Sequence, residues 1–194
     1  MIASLSGIRG ILNGDLSLAE VSNFATNFGK AIGSREFLLA RDSRTTGPAM
    51  SKAVAAGLSS LGSTVLDFGI ISTPALFRES RLRQRPAVMV TASHNEPEFN
   101  GLKFVVDGAG IGKETFDAVV AAPGQVGEFR AGLIREGRNP SYVGDLLERF
   151  GAGSCEGVRV ALDLGGGAAI AHAVPLLTQL GCEVASVNDS YGVF

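Results

Sequence analysis

Apolar residues along the chain follow two rhythms. Over 18–33 they recur at helical spacing, with Leu18, Val21, Phe24, Ala25, Phe28, Ala31 and Ile32 on one stripe. Ser17 and Glu20 precede that stripe at the spacing of a capping box. Short continuous apolar runs, Phe37-Leu38-Leu39-Ala40 and Ala87-Val88-Met89-Val90, read instead as buried strands, with 64–68 and 102–106 as further strands. Between them 48–61 and 73–82 read as helices, each with a proline (Pro48, Pro74) in its first turn, and a helix over 114–122 follows. The segment 121–140 is rich in glycine and charge and is the candidate boundary. Beyond it the same alternation returns: a helix over 142–150, a strand over 158–162, a helix over 168–180 and a strand over 183–187. Such alternation predicts an α/β sandwich whose strands are largely parallel.

Composition narrows the picture. The chain has 194 residues, 45% hydrophobic and 19% charged, enough to bury a proper core in one or two domains. Its net charge of −2 gives no electrostatic case for nucleic acid or an anionic membrane as partner. No apolar run is long enough for a transmembrane helix, and the N-terminus lacks a basic region followed by an apolar core. Cys155 and Cys182 form no C-x-x-C pair, which suggests a reducing, cytoplasmic setting with neither cysteine having a redox or metal partner.

The chemistry concentrates in Thr91-Ala92-Ser93-His94-Asn95-Glu96-Pro97-Glu98-Phe99-Asn100-Gly101-Leu102-Lys103. After the 87–90 run the chain turns abruptly small and polar, with Pro97 and the Asn100-Gly101 turn signal excluding a helix. A serine is thereby presented at the C-terminal end of a strand, where open α/β sheets carry their reactive groups. An imidazole, carboxamides and an amine accompany it. That mixture suits phosphate: a hydroxyl to carry the group, with donors to hold its oxygens. A serine hydrolase is the rival reading of Ser93-His94; adjacent residues rarely aim side chains at one another, and the G-x-S-x-G elbow is missing.

This loop resembles the phosphoserine signature of the α-D-phosphohexomutases, the phosphomannomutase/phosphoglucomutase/phosphoglucosamine mutase superfamily, approximately T-A/G-S-H-N-P-x-x-N-G-x-K. The clear departure is Glu96, where the family usually has proline. Ser6-Gly7-Ile8-Arg9-Gly10 resembles the family's N-terminal G-x-R-G loop. Ala40-Arg41-Asp42-Ser43-Arg44-Thr45-Thr46-Gly47-Pro48 resembles its G-R-D-x-R-x-S-G-P segment, with Ala40 and Thr46 as departures. Asp163-Leu164-Gly165-Gly166-Gly167-Ala168 is similar to the D-x-G-N-G-A turn of its second domain.

The resemblance implies a layered α/β/α mutase-type domain over 1–138 and an incomplete second α/β domain over 139–194, cut before the family's D-G-D-x-D-R metal loop. It implies phosphoryl transfer between the 1- and 6-positions of a hexose phosphate, through a phosphoserine and a hexose bisphosphate intermediate or activator. Ser93, His94, Lys103 and Arg9 would be catalytic; Arg41, Arg44, Asn95 and Asn100 would bind substrate. Mg²⁺ would bind through the phosphate on Ser93. From the residues alone, Arg41, Asp42 and Arg44 read equally as an ion-pair cluster that stiffens the loop. Gly165 to Gly167 read as a tight strand-to-helix turn rather than a nucleotide loop. The alternative for the whole is a non-catalytic sugar-phosphate-binding or interaction module derived from the mutase fold.

Overall fold

A computed structural model of the chain describes residues 1–122, 129–137 and 142–192. The run Glu36–Arg41 (β3) is a strand whose interior is wholly buried. Its side chains alternate between two cores: Phe37 and Leu39 join one cluster, Leu38 and Ala40 the other. Period 2 therefore explains why this strand reads as continuously apolar, since both faces are covered.

Helices supply the covers. Leu18–Ile32 (α1) starts at Ser17, whose Oγ accepts from Glu20 N at 3.2 Å while Glu20 Oε2 accepts from Ser17 N at 2.8 Å. Both halves of the expected capping box are present. Val21, Phe24, Ala25 and Phe28 of α1 share the first core with Met50, Val54, Ala55 and Leu58 of α2, Gly47–Ser59. Val119 of α4, Lys113–Val120, joins them. On the opposite face Ala75 and Leu76 of α3, Thr73–Arg83, share the second core with Ala87, Met89 and Val105. The layering is α/β/α.

The sheet itself is mixed, which corrects the expectation of largely parallel strands. Its order is β1-β2-β6-β5-β3-β4-β8, with Ile2–Ser4 as β1, Gly7–Ile11 as β2, Thr64–Ile70 as β4, Ala87–Val90 as β5, Phe99–Val106 as β6 and Leu133–Glu136 as β8; the short β7, Ala109–Gly110, pairs with β6. β3 pairs in parallel with β4 and β5, and β4 with β8. The pairs β1–β2, β2–β6, β5–β6 and β6–β7 are antiparallel. The physical reason is connection length: β5 and β6 are joined only by the signature loop, too short for a crossover helix.

Other local expectations also shift. Asn100-Gly101 is not a turn but lies inside β6, with Thr91 N donating to Gly101 O at 2.9 Å. Ser6 to Gly10, read as loop, is mostly β2. Part of the 121–140 boundary segment is β8, still in the first sheet; the 138/139 division itself lies outside the described residues.

The remaining chain forms Tyr142–Phe150 (α5), Arg159–Asp163 (β9), Ala173–Gln179 (α6) and Glu183–Val187 (β10). β9 and β10 make a separate parallel two-stranded sheet. The helix expected over 168–180 is divided: Ala168–Ala171 is a 3₁₀ turn and His172 breaks it from α6. No helix among the described residues is long and apolar enough to cross a membrane.

Candidate functional site

Ser93 sits just past the end of β5, exposed, with a φ of 60°. A non-glycine residue held left-handed costs about 1–3 kcal/mol, so the surroundings must over-determine it. They do. Thr91 Oγ1 accepts from Ser93 N at 2.9 Å. Arg44, buried at 6% exposure, sends its guanidinium under the loop. Its Nη2 donates to Ser93 O at 3.1 Å and Asn95 O at 2.7 Å, and its Nη1 to Glu96 O at 2.5 Å and Phe99 O at 2.9 Å. Its Nε donates to Asp42 Oδ2 at 3.2 Å. All the donors of the fork are therefore engaged, which corrects the assignment of Arg44 as a substrate ligand. It is a positioning residue, and Asp42 positions it in turn by accepting from Arg44 N at 3.1 Å.

Asn100 has a similar place. It is 1% exposed, its Oδ1 accepts from Thr46 Oγ1 at 2.6 Å, and its Nδ2 donates to Glu98 O at 3.3 Å. It ties the loop to the start of α2 and offers nothing to a ligand, a second correction. Arg41 is a third. Its Nη1 donates to Asp42 O at 3.2 Å, and it lines a cleft beside Pro48, Lys52 and Asp67 rather than the one at Ser93.

The remaining expected residues do converge. Opposed residues of antiparallel strands share a face, as do residues two apart. Arg9 opposes Gly101 and Lys103 opposes Met89, so Arg9, Gly101, Lys103 and Met89 lie on one face of the sheet. Arg9 Nη1 donates to Asn95 Oδ1 at 3.0 Å. Lys103 is half-buried and makes no hydrogen bond or ion pair among the described residues. Glycines make the room: a Cβ on Gly101 would stand 2.5 Å from Ile8 O and 3.2 Å from Arg9 Cγ, and one on Gly7 would meet Lys103 Cγ at 3.2 Å.

His94 is exposed, and its Nδ1 lies 3.3 Å from Ser93 Oγ. The two neighbours do face one another, contrary to expectation, because the left-handed turn at Ser93 swings its side chain round. No carboxylate among the described residues orients that imidazole, so a hydrolase triad is not assembled.

Ser93 opens on a cleft of about 320 Å³ lined also by Asp42, Ser72, Thr73, Met89, Thr91 and Gly165. Two of these contributions escaped sequence reasoning. Ser72 and Thr73 begin α3, and Thr73-Pro74 signalled only a helix start. Gly165 comes from the second unit, at the turn read as structural. That turn is held by Asp163, whose Oδ1 accepts from Asn188 Nδ2 at 2.8 Å and Gly165 N at 3.0 Å. Those two donors, the Asn188 amide first, hold the Asp163 carboxyl below its usual range.

A Mg²⁺ ion does not fit the described residues alone: no three His, Cys, Asp or Glu side chains among them gather as ligands.

Residues 2–124 match the family model "Phosphoglucomutase/phosphomannomutase, alpha/beta/alpha domain I". The phosphoglucosamine mutase of Thermotoga neapolitana is 34% identical over 191 residues, covering 95% of this chain and 44% of that protein. That of Clostridium perfringens strain SM101 is 31% identical over 204 residues, again 95% of this chain and 44% of the relative. The solved structure of a phosphoglucomutase/phosphomannomutase family protein from Burkholderia thailandensis is 26% identical with a TM-score of 0.79, covering 99% of this chain and 46% of that one. The chain thus spans less than half the length of these relatives.

Proposed function

The chain belongs to the phosphoglucomutase/phosphomannomutase family, and we propose that it is the N-terminal part of a phosphohexomutase that moves a phosphoryl group between the 1- and 6-positions of a hexose phosphate. The observation that carries this reading is the Ser93 loop: a strained, exposed serine over a rigid floor, with Arg9 and Lys103 on the face it overlooks. Residues 1–138 form the serine-bearing domain and 139–194 the start of a second; pairing of β8 with β4, and of β9 only with β10, supports that division.

Phosphorylated Ser93 gives its phosphoryl group to the free hydroxyl of the bound sugar phosphate. The hydroxyl loses its proton, the Oγ–phosphorus bond breaks, and Oγ regains a proton. The bisphosphorylated sugar then reorients and returns its other phosphoryl group to Ser93. Positioning and charge neutralisation do most of this work. Arg44 and Asp42 fix the loop so that Oγ does not wander. Arg9, aimed by Asn95, and Lys103 neutralise the phosphate oxygens. His94, 3.3 Å from Oγ, gives and takes the proton there. Mg²⁺ at that phosphate would need its other ligands from outside the described residues. The relatives' name makes glucosamine phosphate the first substrate to assay, in a cytoplasmic enzyme.

The test is chemical. Peptide mass spectrometry of the full-length protein from cells should find one phosphate on the peptide holding Ser93. Ser93→Ala should abolish turnover with a hexose bisphosphate activator present. Wild-type turnover from that variant sinks the covalent mechanism, and leaves a sugar-phosphate-binding module as the reading.

A further inference from the structure

The two cysteines, separated by 26 intervening residues in sequence, meet in the second unit. Both are free thiols. Cys155 lies in the bends that lead into β9, and Cys182 immediately precedes β10. Parallel pairing of these strands begins with Arg159 opposite Glu183, so their leading segments run side by side. The backbone is tied there from both directions: Cys155 N donates to Leu180 O at 2.8 Å, Gly153 N to Gln179 O at 3.1 Å, and Glu183 N to Val158 O at 2.9 Å. A Cβ on Gly181 would lie 3.2 Å from the Glu156 backbone, a measure of how closely the two segments cross. Glu156 and Gly181 are the immediate chain neighbours of Cys155 and Cys182, so this brace brings the two cysteines close to one another. Cys155 is half-buried and reachable from solvent, whereas Cys182 is 9% exposed.

We propose that Cys155 and Cys182 are a reversible dithiol–disulfide site, oxidised by a small-molecule disulfide, that clamps the leading ends of β9 and β10. The Cys155 thiolate attacks one sulfur of the oxidant, forming a mixed disulfide and releasing one small thiol. The Cys182 thiolate then attacks the Cys155 sulfur and releases the second. Two protein thiols lose two electrons and two protons, and one small disulfide becomes two thiols. The order follows exposure: the accessible sulfur attacks the oxidant first, and the buried one resolves the mixed disulfide. Burial and the neighbouring Cys155 push the Cys182 thiol up, so resolution quickens in mild alkali. The clamp sits at the opposite ends of both strands from Asp163 and Asn188, which hold the turn at the Ser93 cleft. It therefore braces the second unit without entering the cleft, and closing a loop of this length in the unfolded chain raises stability.

The experiment treats the intact protein with oxidised glutathione at pH 8, blocks remaining thiols with iodoacetamide and digests with trypsin. Cleavage after Arg149 and Arg159 places Cys155 on the 150–159 peptide, separate from Cys182. The expected product is that peptide joined to the one holding Cys182, lost on adding dithiothreitol and from Cys155→Ser or Cys182→Ser. The oxidised wild type should also melt several degrees higher than the reduced. Two carbamidomethylated cysteines, glutathione left on Cys155 as the end product, or a bridge between two copies of the chain would each overturn the proposal. The wild-type linkage is read directly, so the result does not depend on whether a serine variant folds.

Discussion

The two sheets differ in how much covers them. Every interior residue of β3 is buried, and its two faces carry separate apolar cores under α1 and α2 on one side and α3 on the other. β9 and β10 alternate exposed and half-buried residues along their whole length, and neither α5 nor α6 buries a residue fully. In the second unit only Leu164, Gly166, His172, Leu180 and Cys182 fall among the buried residues described. The first sheet is thus stabilised by dense, two-sided packing, the second by strand pairing, turns and a few contacts. The Ser93 cleft uses both: its serine stands on the dense half, while Gly165 arrives from the sparse half. The proposed mutase reading would call for a fixed serine and a cleft wall able to yield, and this division of packing is consistent with both.

The largest expected effect tests that contrast in stability. Phe28 is fully buried, with its ring centroid 5.8 Å from Phe37 and 5.0 Å from Phe104. Phe28→Ala in this chain should cost about 3–5 kcal/mol, the transfer term plus the cavity left behind. Val184→Ala, on a half-buried position of β10, should cost about 1 kcal/mol or less. Urea unfolding followed by circular dichroism measures both. Equal losses would show that the second unit is packed as tightly as the first.

The next effect separates the floor of the loop from the groups above it. Arg44→Ala in the full-length protein leaves four loop carbonyls and Asp42 Oδ2 without the guanidinium donors, so turnover and unfolding midpoint should fall together. Lys103→Met and Arg9→Ala should each lower turnover by about 10²-fold, the scale of one positioned charge. Their unfolding midpoints should stay near wild type, since Lys103 is unpaired among the described residues and Arg9 holds only Asn95. A Lys103 variant that lost stability but kept turnover would make the lysine structural.

What the sequence could and could not announce follows the same line. Strong periodicity and continuous apolar runs located α1, β3 and β5 within a residue or two, because dense packing writes itself into consecutive positions. β8 escaped because Leu133-Ile134-Arg135-Glu136 is an exposed edge strand with no alternation to read. Asn100-Gly101 misled because a turn dipeptide had been selected for something else: Gly101 for close approach of Arg9 and two backbone oxygens, Asn100 for its bond to Thr46. At the site, motif spacing pointed to Ser93, Arg9, Asn95 and Lys103, yet could not tell a ligand-facing arginine from one whose donors are spent on loop carbonyls and a carboxylate. The thiol pair was invisible because its partners meet only through strand register.

The smallest effect concerns the seam between the halves. His172 is buried, its Nε2 accepts from Ser72 N at 3.4 Å, and its ring meets the edge of Tyr142 at 5.0 Å between centroids. Nearby, Arg78 of α3 pairs with Asp145 of α5 at 2.7 Å. Burial lowers the His172 pKa from 6.5, which favours the neutral ring, and only a neutral ring accepts at Nε2. The sign is therefore that of a depressed base. Its contribution is fully present above pH 6.5 and is lost as pH falls through the lower folded value, with a slope of at most about 1.4 kcal/mol per pH unit. The chain has two histidines, so imidazole resonances in a pH titration can be assigned to His94 or His172 by a single variant. His172 should titrate below the usual histidine value, and urea stability measured from pH 7.5 to 5 should decline more steeply in wild type than in His172→Gln. Identical slopes would mean that the seam carries no proton-linked energy, and that the sparse half is held to the dense one by the Arg78–Asp145 pair and apolar contact instead.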